Sequence, residues 1–245
     1  MFVGLGSVIN ALTIFLGSLI GIFFGSRLKE KARDLVMACL GLITACAAAD
    51  MAKSIWSPEY QRALPKGWPI ITILVALILG SLLGSALGIE ERLERIGDKF
   101  RSILGAKENS RFIEGFVLAT LIFVVGPMAI LGGISDGMGT GIQTLVLKSI
   151  LDGIAAIAFA ATLGWGVAAS ALPTALYQLL WTFIGWSLGN ILLDYQVAAI
   201  TATGGLLIFC IALKLLKIRE LPIGNMLPAL FLAPVLVQVV HVLSN

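Results

Sequence analysis

Apolar side chains run along this chain in blocks separated by short polar or basic stretches, and a helix needs about 20 such residues to cross the hydrocarbon of a bilayer. Eight blocks are long enough: residues 2–25, 32–52, 68–89, 112–131, 142–164, 167–188, 197–216 and 222–242. Two are interrupted, the fourth by Gly126 and Pro127 and the fifth by the polar pair Lys148 and Asp152. The pattern changes at 90–110, where Leu93, Ile96, Phe100 and Ile103 recur at helical spacing with Arg and Glu between them. This spacing predicts an amphipathic helix on the membrane surface, or alternatively a helix that binds a partner. The expected fold class is all-α: a polytopic α-helical membrane protein of about eight transmembrane helices.

Composition supports the pattern. Of 245 residues, 58% are hydrophobic and 13% charged, and the mean hydropathy is +1.00. Soluble domains carry about 25% charged residues, so this chain could not cover a water-facing surface, and it is too apolar to be disordered. The net charge of +3 is small and the basic residues form short clusters between apolar blocks, which argues against a nucleic-acid partner. The three cysteines show no CxxC pairing and His241 is the single histidine. Structural zinc needs four closely spaced N/S ligands, so neither metal nor cofactor is expected. Thirteen of the Lys and Arg residues fall in the first, third and seventh links, against Lys53, Arg62 and Lys66 on the other side. The positive-inside rule then places the odd links in the cytoplasm and both termini in the periplasm. Residues 1–10 hold no Lys or Arg, so the opening block lacks the basic start of a signal peptide and is expected to remain as a span.

Sliding the chain against itself at an offset of 164 aligns Ala11, Leu12, Leu16, Ile20, Gly21, Gly25, Leu28, Gly41, Leu42, Cys46 and Ala48 with identical residues. Repeat one is then 2–89 (spans one to three) and repeat two 167–242 (spans six to eight), around a central pair at 112–164. An odd number of crossings separates the copies, so they face opposite ways, the inverted-repeat architecture of many secondary transporters. Glycines recur every fourth residue at Gly17, Gly21 and Gly25, at Gly80, Gly84 and Gly88, and at Gly185 and Gly189. Such strips admit close backbone approach, within one chain or in a homodimer through Gly-xxx-Gly faces.

Charges deep in a bilayer mark functional sites by default. Asp152 falls mid-span with Lys148 one turn earlier, so the two can pair on one face, as a structural ion pair or as a site that opens to a solute or proton. Pro127 next to Gly126 should kink or break span four and free carbonyls for a cavity. The link 132–141, GGISDGMGTG, holds five glycines and is expected to be an outer loop rather than a helix, or else to re-enter the membrane with Ser135 and Asp136 exposed to a pathway. Its match to GxSxG lacks the strand–turn–helix elbow and a nearby histidine that a serine hydrolase needs, so no enzyme is expected. Asn10 and Gln178, with Gln143, could complete a midplane site; Asp50 reads as a solvated residue at the mouth.

The stretches "GPMAILGGISDGMGTG", "LKSILDGIAAIAFAATLGWGV" and "ALPTALYQ", with the opening "GSVINALTIFLGSLIGIFFGSRL", resemble the YdfK/YqgA-type bacterial membrane proteins, known as domain of unknown function 554. The resemblance covers nearly the whole chain. It implies a bacterial inner-membrane setting and a transport role without an assigned substrate or site, and it directs attention to Gly126, Pro127, Asp136, Lys148, Asp152 and Gln178. The expected function is transport of a small solute or ion, with the lipid bilayer as surroundings. A channel of the same architecture, or a scaffold or sensor binding a partner through 90–110, are the alternatives.

Overall fold

The computed structural model of the protein describes residues 2–25, 29–103, 110–125, 127–139, 141–188 and 192–244. Its α-helices in chain order are α1 (Leu5–Gly25), α2 (Glu30–Ala52), α3 (Pro58–Ala63), α4 (Trp68–Leu87), α5 (Ile89–Ile103), α6 (Ser110–Val124), α7 (Pro127–Gly137), α8 (Gln143–Leu163), α9 (Trp165–Ala169), α10 (Ala171–Leu188), α11 (Asp194–Leu215) and α12 (Pro228–Ser244). Seven segments are long and apolar enough to span a membrane, or eight if the bent pair α6–α7 counts as one. The chain divides into two compact units.

The first unit takes in Met1–Leu40, Leu93–Val124 and Met128–Ile191. Its centre is the pairing of α1 with α8, and glycine makes that pairing possible. A Cβ at Gly17, Gly21 or Gly25 would run into the backbone of Gly153, Ile157 or Ala161 respectively, while one at Gly6 would meet Leu145. Residue numbers rise together along both helices, so α1 and α8 run parallel.

That direction decides how the chain crosses at α6 and α7, which are bent by 62°. A hairpin there would return α8 antiparallel to α1. The ends of the bent pair agree with a crossing: Gly115 of α6 packs on Leu163 at one end of α8, and Gly132 of α7 packs on Leu145 near the other. The 17 steps between those anchors would rise about 26 Å in a straight helix and less across the bend. These contacts match those of one broken span; counted so, the candidate spans among the described residues number eight, and otherwise seven.

The expected glycine-rich loop is corrected in part, since residues 132–137 belong to α7. Glycine disfavours an isolated helix by about 1 kcal/mol per residue, but tertiary packing overrides that preference here. Gly133 lies against Gln178 and Trp181, and Gly137 against Thr182 and Trp186 of α10, where a side chain would not fit. Gly185 of α10 in turn receives Ile134 of α7. The amphipathic segment forms α5, which is docked as well as exposed. Gly97 packs on Phe116 of α6, and the Phe100 and Phe116 rings stand 5.7 Å apart.

The second unit comprises Gly41–Arg92, Val125–Pro127 and Leu192–Asn245. Tyr60, Ile73, Ala76, Ala199, Ala202 and Val237 form its buried core, with the Tyr60 hydroxyl 2.7 Å from that of Thr72. Here too glycines carry the close contacts: Gly80 on Ala229, Gly84 on Asn225, Gly205 on Ala48 and Ala52, and Gly41 on Leu215 and Leu216. The strips at Gly17, Gly21, Gly25, Gly80, Gly84 and Gly185 are thus filled by the chain's own helices, which leaves no room on them for a second copy. Gly88 instead ends α4 with φ 59°, and Gly189 lies outside the described residues.

Candidate functional site

The glycine contacts that press α1 onto α8 also bring their polar residues together. Asn10 Nδ2 donates to Asp152 Oδ2 at 3.0 Å, and Lys148 Nζ donates to the same oxygen at 2.7 Å. The Lys148 and Asp152 side chains are only 9% and 11% exposed. Asp152 is the tenth of the 21 residues of α8, hence at mid-depth. The i,i+4 pair predicted from spacing is formed, and Asn10 joins it from another span.

Gln178 on α10 is fully buried, and neither atom of its amide has a hydrogen-bond partner among the described residues. The same holds for Asn10 Oδ1 and for Thr120 Oγ1 on α6. The Ser7 and Thr182 hydroxyls meet 3.4 Å apart. Asn10 lies three residues after Ser7 and Gln178 four before Thr182, one turn away on each helix. Since α8 runs with α1 and α10 returns across the membrane after α8, α1 and α10 are antiparallel. Asn10 and Gln178 therefore occupy one layer, a turn deeper than the hydroxyl pair.

Asp136 stands apart from this layer. Its carboxylate accepts from the backbone N–H of Gly4 at 3.2 Å and of Gly6 at 3.0 Å, capping the free amides and the positive dipole end at the start of α1. It also borders a cavity of about 260 Å³ at that end of the unit, with Phe2, Val3, Gly141, Ile142 and Gln143. Ser135 is half-buried on α7. Pro127 heads α7 but is grouped with the second unit, and Gly126 lies outside the described residues. Asp50 forms an exposed pair with Lys53 at 3.1 Å. Sequence reasoning missed Ser7, Thr182 and Thr120, because a hydroxyl in an apolar helix is commonplace and nothing in its spacing marks it.

The fold and this cluster define a polytopic α-helical membrane protein with a polar site buried between helices. The chain belongs to the family described as "Protein of unknown function (DUF554)", whose model matches residues 5–238. It is similar to the uncharacterized membrane protein YdfK of Bacillus subtilis (strain 168), 29% identical over 236 residues, or 96% of each chain. It is also similar to the uncharacterized protein YqgA of Escherichia coli (strain K12), 28% identical over 236 residues, or 94% of each chain. No solved structure matches.

Proposed function

We propose that the protein is a carrier, not an enzyme, that moves a small solute or ion across a bacterial inner membrane through the Asn10, Lys148, Asp152 and Gln178 layer. The observation that carries this reading is the fully buried, unpartnered amide of Gln178 on α10, together with unpartnered Asn10 Oδ1 beside a buried ion pair. Several buried hydroxyls in this unit donate along their own helix: Ser18 to the Ile14 carbonyl, Ser149 to Leu145, Thr174 to Ser170 and Thr182 to Gln178, whereas Thr120 Oγ1 has no partner among the described residues. The Gln178 amide and Asn10 Oδ1 lack one too. An unmet buried polar group costs about 1–3 kcal/mol, and a polar ligand at this layer would meet the need.

Support for the inverted repeat comes from paired contacts. Gly41 meets Leu216 while Gly205 meets Ala52, and adding or subtracting the 164-residue offset exchanges the two pairs. Gly21 and its counterpart Gly185 each seat a backbone carbonyl, of Ile157 and Ile134. Both termini are assigned to the periplasm on the distribution of basic residues.

The test is a thermal-stability screen of the purified protein against ions and small metabolites, because a bound ligand raises apparent stability by mass action. A hit should disappear in Gln178→Leu, which keeps the fold. Stabilisation that survives in Gln178→Leu would move the site elsewhere. A folded wild type that no solute stabilises, with α5 capturing a partner, would favour the scaffold reading; unsaturable flux through a hit would favour a channel.

A further inference from the structure

We propose that Asp152 takes up a proton from the side of the membrane on which α1 begins, and that Asn10 is placed to hold the protonated carboxyl. The proposal rests on the carrier reading and supplies its coupling ion.

The amide of Asn10 is half used. Its Nδ2 donates to Asp152 Oδ2, while Oδ1, fully buried, has no donor facing it among the described residues. An ionised carboxylate cannot provide one, because it only accepts. A carboxylic acid can: one oxygen keeps accepting from Nδ2 while the protonated oxygen donates to Oδ1, closing an acid–amide pair in which both groups are satisfied. The same carboxyl therefore has a partner set for each protonation state. Ionised, it is balanced by Lys148 through Oδ2. Protonated, it is matched by both atoms of Asn10.

The charge balance ties that step to a solute. When the proton binds, a carboxylate and a proton become a neutral acid, and the Lys148 ammonium is left without its counter-charge in a buried layer. A solute entering beside Gln178 would sense that change directly. Among the described residues packed on α8 or α1, α10 brings Gln178 and Tyr177 and α9 brings no charge, while α2, which meets the Thr162 end of α8 through Met37, carries Lys31 and Asp34 away from Asp152. The charges of α6, Arg111 and Glu114, belong to the Leu163 end of α8, and Asp136 of α7 is engaged by Gly4 and Gly6.

Polar groups lead toward Asp152 from the side on which α1 begins. From the cavity at Asp136 the next polar step is the Ser7–Thr182 hydroxyl pair, then Asn10 and Gln178, then Asp152. Hydroxyls donate and accept, so the pair can pass a proton, and parting of α1 and α10 during the carrier cycle would expose Ser7 to larger species from that same side. Past Asp152, the α1–α8 interface is sealed by Gly17, Gly21 and Gly25 on the α8 backbone.

Two measurements on the full chain test the site and the route. Infrared difference spectra between neutral and acid pH should show a carboxylic C=O band that is lost in Asp152→Asn and displaced in Asn10→Leu. Absence of such a band, or its persistence unmoved in Asn10→Leu, overturns the proton site. Asp152→Asn keeps size and the bond to Asn10; if it fails to fold, the displacement in Asn10→Leu is decisive by itself. For the route, Ser7→Cys in a background with Cys39, Cys46 and Cys210 replaced by alanine should react with a membrane-impermeant methanethiosulfonate only from the side on which α1 begins. Reaction from the other side, or from neither, overturns the route. Either failure leaves a solute hit that depends on Gln178 untouched, so loss of the proton site and loss of the carrier reading are separate results.

Discussion

Lys148→Met should destabilise the protein more than Lys148→Met and Asp152→Leu made together. The single change strands a carboxylate that is 11% exposed and keeps only the neutral amide of Asn10. Breaking a buried pair from one side costs about 3–5 kcal/mol, because the remaining charge is uncompensated. Asp152→Leu strands the lysine instead, at a similar cost, and also leaves Asn10 Nδ2 without its acceptor. The double change removes both charges and roughly preserves volume, so its main loss is the orphaned Asn10 amide, about 1–3 kcal/mol.

The two single losses added come to about 6–10 kcal/mol, so the cycle should show a large departure from additivity. Reversible unfolding in mixed micelles, followed by circular dichroism at fixed pH, measures all four corners. Acidification provides an internal control. It should recover part of the Lys148→Met loss, since a neutral Asp152 needs no counter-ion, and none of the Asp152→Leu loss, where the stranded charge belongs to lysine. Independent sites add within about 0.5 kcal/mol; additivity of that quality, or a double variant worse than both singles, would refute the buried pair as described.

Three further outcomes follow from the same geometry. Asp136→Ala removes the acceptor for two backbone amides at the start of α1 and should lower stability by about 0.5–2 kcal/mol, as for a lost helix cap, visible as a reduced melting temperature with ligand binding intact. Gly21→Val would push a side chain into the Ile157 carbonyl and to within about 3.0 Å of Ala161 N, at a cost of about 1–3 kcal/mol for overpacking or more; an unchanged melting temperature would deny the α1–α8 contact. A cytoplasm-only reporter fused after residue 245 should be silent, and an active one would reverse the assigned orientation.

Span positions were legible because bilayer thickness imposes them. The expected 68–89 and 142–164 blocks emerge as α4 (Trp68–Leu87) and α8 (Gln143–Leu163). The Lys148–Asp152 pair was legible because helical spacing alone determines it. What could not be read was which helices meet. Asn10 as the partner of Asp152, Ser7 opposite Thr182 and Asp136 capping α1 all join residues more than 100 positions apart. The helicity of 132–137 was misread for the same reason. Its glycines look like a loop until α8 and α10 are present to occupy the space that the missing side chains leave. The link at 53–67 likewise conceals a short 3₁₀ helix, Lys53–Trp56, and α3, both too short to show a periodicity.

Two arguments of unlike origin bear on the number of crossings. One is steric: glycines hold α1 parallel to α8, which requires an odd number of crossings between them, three when spans two and three both cross. The other is electrostatic and uses none of those contacts. If α6 and α7 were a hairpin, every later span would invert, and Lys214, Lys217 and Arg219 would lie opposite the basic residues of the first and third links. A full crossing puts all these clusters on one face, as the positive-inside rule favours. The agreement also orients the candidate pathway. The cavity at Asp136 lies at the start of α1, one crossing away from Lys29 and Lys31, and so opens on the face opposite the basic links. If those links face the cytoplasm, a proton reaching Asp152 past Ser7 and Thr182 comes from outside. That is the direction in which a proton gradient across a bacterial inner membrane could drive uptake.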